Sequence, residues 1–381
     1  MVRMQTDHDC VMGRLTSPSA GPPGAGRPRF RGRALTPAPS RSSGRKARAA
    51  RCPLWSLAVG VFIALAGCAS SSHPPADWTG PKRLAIVSSE PWDFNDRPAR
   101  ILRTPHYLIH TTIEDEEVLE RLPQVMEGAY AQYQRFAPAP QTAKPMKCYV
   151  FRRRAEWAAF TSKHTGDDAA IYLQITRGGY TIGDWFVSYY VGDGATFSVA
   201  AHEGWHQYVA RHFKGRLPPF LEEGTACMFE SVRFPGDLPR WDLSLNPNRA
   251  FGLRKAIENK VLFPLDKLCA MHAGDVVNLP GDKIEAFYAQ NWAFARFLWD
   301  YGDGQYRGRF RRLLADTAAG TLRDPGGTMQ RAAGTWSPSS VRPMLEGYLG
   351  KGLSEIEPEY QAFIRRIAYE QFNRQWMSQA G

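Results

Sequence analysis

The sequence feature that most constrains this chain is the run A-A-H-E-G-W-H at positions 200–206, which contains the pattern H-E-x-x-H. Residues four apart on a helix lie one turn above each other on the same face. His202 and His206 would therefore direct two imidazoles at one point, which is the geometry that holds a zinc ion. Glu203 projects beside them, where its carboxylate can take a proton from a metal-activated water. The pattern predicts a helix that carries a single Zn²⁺ site.

A second helix is predicted soon after this motif, in G-R-L-P-P-F-L-E-E-G-T-A at positions 215–226. Proline near the first position and acid in the first turn are typical of a helix start. A carboxylate such as Glu223, 17 residues beyond His206, would complete a His₂Glu zinc site whose fourth position stays open for water. Glu222 and Glu223 are about 100° apart around a helix, so only one of them can face the metal. Periodicity alone does not decide which.

The two motifs in combination resemble those of the gluzincin zinc metallopeptidases, in which H-E-x-x-H is followed by a glutamate on the next helix. The run L-P-x-F-L-x-E-G-x-A is similar to that of the bacterial peptidase-MA-like branch, and the resemblance covers roughly residues 100–300. It implies a zincin-like α+β fold and makes Glu223, which directly precedes the glycine, the third metal ligand. Glu222 is then most simply a solvated charge that stabilises the helix N-terminus.

Two parts of the resemblance are incomplete. Thermolysin-like gluzincins carry an acid three or four residues after the ligand glutamate, where it orients the first histidine, but here those positions hold Ala226 and Cys227. The orienting group must come from elsewhere or be weaker, and Cys227 is expected to be a buried structural cysteine. Tyr288, in Y-A-Q-N-W, resembles the Y-x-Q-x-W helix of the branch and is the candidate oxyanion donor, although tyrosine on an aromatic-rich helix is often a core residue. His212 falls off the ligand face and is expected at the surface.

Strands and helices are both predicted ahead of the motif helix. Aromatic and β-branched residues predict strands, and apolar residues at helical spacing predict helices. The predicted strands cover 107–111, 146–151 and 185–191, and the predicted helices cover 115–136, 155–163 and 196–213. By resemblance, the edge strand that pairs with an extended substrate lies within 171–191.

The pattern changes after residue 235. A loop rich in Pro, Asp and Trp leads into a part that is mainly helical from residue 250 onwards. We therefore expect an α/β catalytic lobe at 83–235, which contains a small mixed sheet and both motif helices, and a mainly helical lobe at 236–381. A metal site in the cleft between them would match the usual location of an active site.

The basic character of the chain is confined to its first 67 residues. The net charge is +11, but residues 1–67 hold 11 Lys and Arg against 2 Asp and Glu, which leaves 37 against 35 in the remainder. These basic residues belong to a segment that we expect to be removed from the mature protein, so no nucleic-acid partner is expected. Residues 13–51 are rich in Pro, Gly, Ser, Ala and Arg, which predicts a disordered leader.

A secretory signal is predicted at the end of this leader. A basic flank ending at Arg51 precedes an apolar run at 54–66 and the tetrapeptide L-A-G-C, which ends at Cys68. Cysteine at the cleavage point resembles a bacterial lipobox, so residues 1–67 would be removed and Cys68 would become the lipidated first residue. The alternative is a short membrane anchor with an incidental cysteine, but the run is shorter than the ~20 residues of a spanning helix.

The segment after the signal predicts the location of the protein. Residues 68–82 are polar and Pro-rich, which is typical of a tether. The absence of aspartate after Cys68 resembles outer-membrane sorting, so we expect a lipid-anchored protein of the bacterial cell envelope that faces the periplasm. Only three further cysteines (Cys148, Cys227 and Cys269) remain in the mature chain, so at most one disulfide can form.

The sequence therefore predicts a zinc-dependent metallopeptidase that hydrolyses peptide bonds in peptide or protein substrates of the cell envelope, with Glu203 as the general base. One alternative is a catalytically silent binding protein that keeps the zincin fold, which the missing orienting acid favours. The other is a hydrolase of a cell-wall amide such as a peptidoglycan linkage.

Overall fold

The computed structural model describes residues 88–140, 144–176, 178–276, 279–322 and 336–379. The leader and signal peptide at 1–67, the lipidation site Cys68 and the tether at 68–82 lie outside the described residues. Within the described residues, none of the helices is long and apolar enough to span a membrane.

A six-stranded mixed sheet forms the first half of the fold. Its strands, in chain order, are β1 (Ser88–Asp93), β2 (Pro98–Arg103), β3 (Tyr107–Thr111), β4 (Met146–Phe151), β5 (Gly179–Ile182) and β6 (Trp185–Tyr189). Their spatial order is β1-β2-β3-β4-β6-β5, with β3, β4 and β6 parallel and the other pairs antiparallel. Strand β5 is therefore an edge of this sheet.

The central strands are buried because helices cover both faces of the sheet. On β4, Cys148 and Val150 join the cluster with the long helices, while Tyr149 and Phe151 join a second, aromatic cluster on the opposite face. This two-sided burial explains why β4 reads as a nearly continuous apolar run.

Twelve α-helices of the described residues surround and extend this sheet. They are α1 (Glu116–Phe136), α2 (Arg154–His164), α3 (Ala169–Tyr172), α4 (Asp193–His212), α5 (Pro219–Phe229), α6 (Pro247–Glu258), α7 (Leu265–Ala270), α8 (Ala273–Val276), α9 (Gly281–Asp300), α10 (Arg307–Ala319), α11 (Pro338–Leu349) and α12 (Leu353–Gln379). Two short antiparallel strands of two residues each, β7 (Val232–Arg233) and β8 (Arg240–Trp241), follow α5. The prediction of an α+β fold is confirmed.

Helix α4 is held against α1 by a close contact that explains Gly204, a poor helix former. The Tyr133 hydroxyl of α1 donates a hydrogen bond to the Ala201 carbonyl at 2.6 Å. A Cβ at Gly204 would lie only 2.7 Å from that hydroxyl oxygen. Glycine at this position therefore lets α1 pack directly on the part of α4 that carries the H-E-x-x-H motif.

Helix α5 packs on α9 just as closely. A Cβ at Gly224 would lie 2.2 Å from the Asn291 carbonyl oxygen, so only glycine permits this approach of the two backbones. The contact brings the acidic first turn of α5 and the Tyr288 turn of α9 to the same part of the molecule. One continuous apolar cluster, from Ile109 on the sheet to Ile364 on α12, supports all of these helices.

Candidate metal centre

Helix α4 brings the two motif histidines together. His202 and His206 lie one turn apart, and their Nε2 atoms are 3.3 Å from each other. Both side chains are largely buried, because α5 covers this face of α4. Two imidazole nitrogens thus face one point, as the four-residue spacing predicts.

Helix α5 supplies the third donor. Glu223 Oε2 lies 3.4 Å from His202 Nε2 and 3.7 Å from His206 Nε2. Zinc bonds of about 2.0 to 2.1 Å at tetrahedral angles separate ligand atoms by about 3.3 Å. The same Glu223 oxygen is buried and has no hydrogen-bond partner among the described residues. The spacing of the three donors and this unsatisfied oxygen fit a zinc ion.

The electrostatics of the cluster reflect the close approach of its charges. Burial alone would raise the pKa of Glu223, but the neighbouring His206 and His202 overcome this effect and lower it well below its usual range. Burial alone would lower the pKa of His206, yet Glu223 and Glu222 raise it to about 10. In the absence of metal, the carboxylate is therefore ionised and the histidines hold protons that a metal ion would displace.

Glu222 has a different role from the one that the sequence predicts. Instead of a solvated charge, its carboxylate is largely buried, with Oε1 at 2.9 Å from His206 Nδ1. Glu222 and Glu223 point to different sides of α5, as their 100° separation requires. Glu223 Oε2 lies near the Nε2 atoms of both histidines, whereas Glu222 Oε1 lies at Nδ1, on the opposite side of the His206 ring.

Glu230 is the residue that the sequence analysis missed. Its Oε1 lies 2.9 Å from His202 Nδ1, so it takes the place of the acid that is absent at positions 226 and 227. Arg249 binds both Glu230 oxygens, at 2.8 and 2.5 Å, and Asn246 donates to one of them at 2.8 Å. A signal was present, because Glu230 follows Glu223 by seven residues, which is two helical turns on the same face.

Cys227 lies between these two glutamates. Its sulfur is 3.9 Å from His202 Nδ1, and it is fully buried. Burial raises the pKa of the thiol, so it stays protonated as a structural cysteine. His202, Cys227 and Glu230 also lie within 4.8 Å of one another. Because Arg249 already donates hydrogen bonds to both Glu230 oxygens, the group of His202, His206 and Glu223 is the better metal site.

The candidate general base, Glu203, is buried beside the cluster, and a residue of the edge strand β5 forms a hydrogen bond with it. The Thr181 hydroxyl of β5 lies 3.0 Å from Glu203 Oε2 and 3.1 Å from the Glu203 carbonyl oxygen. Gly179 permits this approach, since a Cβ there would lie 3.2 Å from Glu203 Cγ. Burial raises the pKa of Glu203. The predicted edge strand in 171–191 is β5, and it runs past the candidate base.

Tyr288 lies at the border of the cluster. Its ring is partly buried, and the Arg249 guanidinium is 5.1 Å from the ring centroid. Burial, reinforced by the charge of Glu223, raises the pKa of Tyr288, so the phenol is neutral and can donate a hydrogen bond. His212, expected at the surface, is instead buried against Tyr130 and Tyr208, and its Nδ1–H donates to the Pro140 carbonyl at 2.7 Å.

The structure thus brings His202, His206, Glu203 and Glu223 together, with Tyr288 beside them. Comparison of the chain with known proteins gives no match to a family model, to a curated protein or to a solved structure. The interpretation of this cluster therefore depends on its own geometry and on the two motifs that form it.

Proposed function

We propose that the protein is a zinc-dependent metallopeptidase of gluzincin type, with a zincin-like fold, which holds one Zn²⁺ through His202, His206 and Glu223. The observation that carries the proposal is the convergence of three buried donor atoms at the spacing of a tetrahedral site. Two of these donors are histidine nitrogens whose other ring nitrogens are bound by carboxylates, an arrangement typical of zinc ligands.

A zinc ion at these residues supplies the Lewis acidity that activates water and polarises a carbonyl group. Glu203 accepts the proton of the attacking water and transfers it to the leaving amine. Its burial supports this role, because a carboxyl whose pKa is raised by burial is a better base and a better acid near neutral pH. The Thr181 hydroxyl holds the carboxylate in a defined orientation.

Tyr288 is the candidate donor to the oxyanion that develops during the reaction. A hydrogen-bond donor that is already in place stabilises this charge more than a mobile solvent molecule can. The neutral phenol can donate a hydrogen bond to a negative charge on this side of the cluster.

Strand β5 is the candidate binding surface for an extended peptide. It is a sheet edge, and its Thr181 contacts the candidate base. An extended peptide that pairs with such an edge would pass directly in front of the cluster. We further propose that the substrates are peptides or proteins of the bacterial cell envelope, reached by an enzyme that is lipid-anchored through Cys68 and faces the periplasm from the outer membrane.

No specific observation favours a catalytically silent binding protein. That alternative depended on the missing acid at positions 226 and 227, and Glu230 provides the missing contact to His202. Hydrolysis of a cell-wall amide uses the same zinc chemistry, and digestion of purified peptidoglycan alongside a peptide library distinguishes the two substrates.

Zinc content measured by elemental analysis tests the proposal. We expect one zinc per chain in the purified protein and none in Glu223→Ala, because that variant loses one of three ligands. The matched control is Glu120→Ala, which removes an exposed glutamate from α1. A parent protein that takes up no zinc, even after incubation with excess metal, would refute the proposed function.

A further inference from the structure

The two metal-facing histidines are supported unequally from behind. Behind His206, Glu222 makes one hydrogen bond, to Nδ1. Behind His202, Glu230 has each oxygen bound twice: Oε1 by His202 and Arg249, and Oε2 by Arg249 and Asn246. The second arrangement is a closed network, and the first is a single contact.

We propose that Arg249 and Glu230 act together as the positioning pair of the site, which locks the ring of His202 so that its Nε2 is ready to bind metal. This inference rests on the proposed function, since it assigns a task within the same zinc site. Neither residue touches the metal or the substrate in this proposal, so both act through His202.

The hydrogen-bond pattern determines which ring nitrogen is free. A carboxylate only accepts hydrogen bonds, so Glu230 requires a proton on Nδ1 of His202. The lone pair of a neutral ring is then on Nε2, which faces Glu223 Oε2 at 3.4 Å. A carboxylate in this position fixes both the tautomer and the orientation of a ligating histidine.

Arg249 makes the position of Glu230 rigid. The planar guanidinium binds the two carboxylate oxygens in parallel, through Nε and Nη2, which restrains the carboxylate in both direction and rotation. Arg249 is itself restrained, because its guanidinium lies over the aromatic ring of Tyr288. Lysine would keep the charge but lose this two-point geometry.

Asn246 connects the network to both helices. Its side-chain oxygen caps α6 by accepting from the Arg249 backbone at 3.1 Å, and its amide nitrogen donates to the Cys227 carbonyl of α5 at 2.9 Å. The start of α6 is thereby tied to the last turn of α5, next to its cap residue Glu230.

Zinc affinity, measured by competition with a chromogenic chelator, tests the inference. We expect Glu230→Gln and Arg249→Lys to weaken zinc binding about 10- to 100-fold, the range known for partners behind metal ligands. Glu222→Gln should have a smaller effect than Glu230→Gln, since it removes one contact rather than a network. The matched control is Asp184→Asn, which disrupts another arginine–carboxylate pair, with Arg211 at 2.9 Å, away from the cluster.

A spectroscopic readout separates positioning from a merely structural ion pair. In the zinc-loaded parent protein, the Nδ1–H proton of His202 should give a downfield, slowly exchanging signal in proton NMR, and Glu230→Gln should shift or lose it. Thermal unfolding of the zinc-free proteins reports the structural contribution independently. If Glu230→Gln does not fold, Arg249→Lys carries the same test, because it keeps the charge.

The outcomes are distinct for the two proposals. Weakened zinc binding together with a changed His202 signal supports the positioning pair. Unchanged zinc affinity in folded Glu230→Gln and Arg249→Lys, with zinc still present in the parent, overturns the positioning pair and leaves the zinc site intact. A parent protein without zinc overturns both.

Discussion

Helix α4 carries three histidines, and those in its middle have partners of a different kind from the one at its C-terminal end. His206, in the middle of the helix, lies between Glu222 and Glu223, and these carboxylates raise its pKa to about 10. His212, at the C-terminal end, is packed against Tyr130 and Tyr208, and burial lowers its pKa. One histidine is surrounded by charges that a cation can satisfy, while the other is already satisfied by a carbonyl group.

The comparison shows what distinguishes the proposed metal ligand His206 from a core histidine on the same helix. Both side chains are largely buried, and each Nδ1 has a hydrogen-bond partner. The difference lies in the chemistry of the partner, because carboxylates favour a cation and a backbone carbonyl requires only a neutral N–H. It also lies in the surroundings of the ring, because Nε2 of His206 approaches Nε2 of His202, whereas the ring of His212 packs against the ring of Tyr208.

Exchange of either histidine for asparagine gives the largest contrast. We expect His206→Asn to abolish both zinc binding and turnover, because loss of a ligand exceeds the 10- to 100-fold effect of losing a partner behind one. His212→Asn should keep zinc and turnover and lower the free energy of unfolding by about 1 to 3 kcal/mol, the range for an impaired buried hydrogen bond. Zinc analysis and chemical denaturation of both variants check this. Loss of zinc in His212→Asn would contradict the comparison.

The next effect separates metal binding from chemistry. Glu203→Gln removes the candidate base but none of the ligands, so zinc content should be unchanged. Turnover of a peptide substrate should fall about 10²- to 10⁴-fold, as is usual for loss of a general base. Glu120→Gln, on the exposed side of α1, serves as the control. Retained activity in Glu203→Gln would exclude Glu203 as the base.

The strands of the sheet beside Glu203 show how much of the fold can be predicted from the sequence. The strands at 107–111 and 146–151 are predicted correctly, because their buried positions carry aromatic and β-branched residues. The pair Gly178-Gly179 has the local sequence signal of a turn, yet Gly179 is the first residue of β5, where a Cβ would lie 2.8 Å from the Val187 carbonyl oxygen. A glycine required by close packing has the same local signal as a glycine required by a turn.

The first two strands were missed for a related reason. Strand β1 has the sequence S-S-E-P-W-D and is mostly exposed, so it lacks the apolar alternation on which strand prediction depends. Its strand geometry comes from pairing with β2, which a local pattern does not contain.

The residues of the candidate site also fall into those that the sequence predicts and those that only the structure reveals. His202, His206 and Glu223 come from local spacing and motif resemblance, and the structure brings them together. Arg249 lies 19 residues beyond Glu230 on another helix, and no periodic pattern connects them. Contacts between helices, rather than positions along one helix, determine how the metal-facing histidines are supported.

Proton release should accompany zinc binding at the carboxylate-rich part of α4. The pKa values of His202 and His206 are both raised, so near neutral pH the metal-free rings hold protons that zinc must displace. We expect about two protons released per zinc and an apparent affinity that rises with pH from 6 to 8. Calorimetry in buffers of different ionisation enthalpy measures this number. Zinc binding without proton release would show that the carboxylates do not raise these pKa values.

The smallest expected effect is a pH dependence of stability that comes from His212, at the C-terminal end of α4. Burial lowers the pKa of His212 in the folded state, and the charges of Arg211 and His106 lower it further. The unfolded chain therefore binds a proton below pH 6.5 that the folded protein does not, so this histidine contributes stability above pH 6.5 that is lost as the pH falls. The loss is at most about 1.4 kcal/mol per pH unit for one group.

Replacement of His212 isolates this contribution from those of the other histidines. His110 also has a pKa lowered by burial, and the two metal-facing histidines act in the opposite direction in the zinc-free protein, so only the difference between parent and variant is informative. We expect the stability advantage of the parent over His212→Asn to shrink between pH 7.5 and pH 5.5 in urea denaturation. An advantage that stays constant or grows towards low pH would mean that folding does not lower the pKa of His212, and the middle and the C-terminal end of α4 would then not differ as proposed.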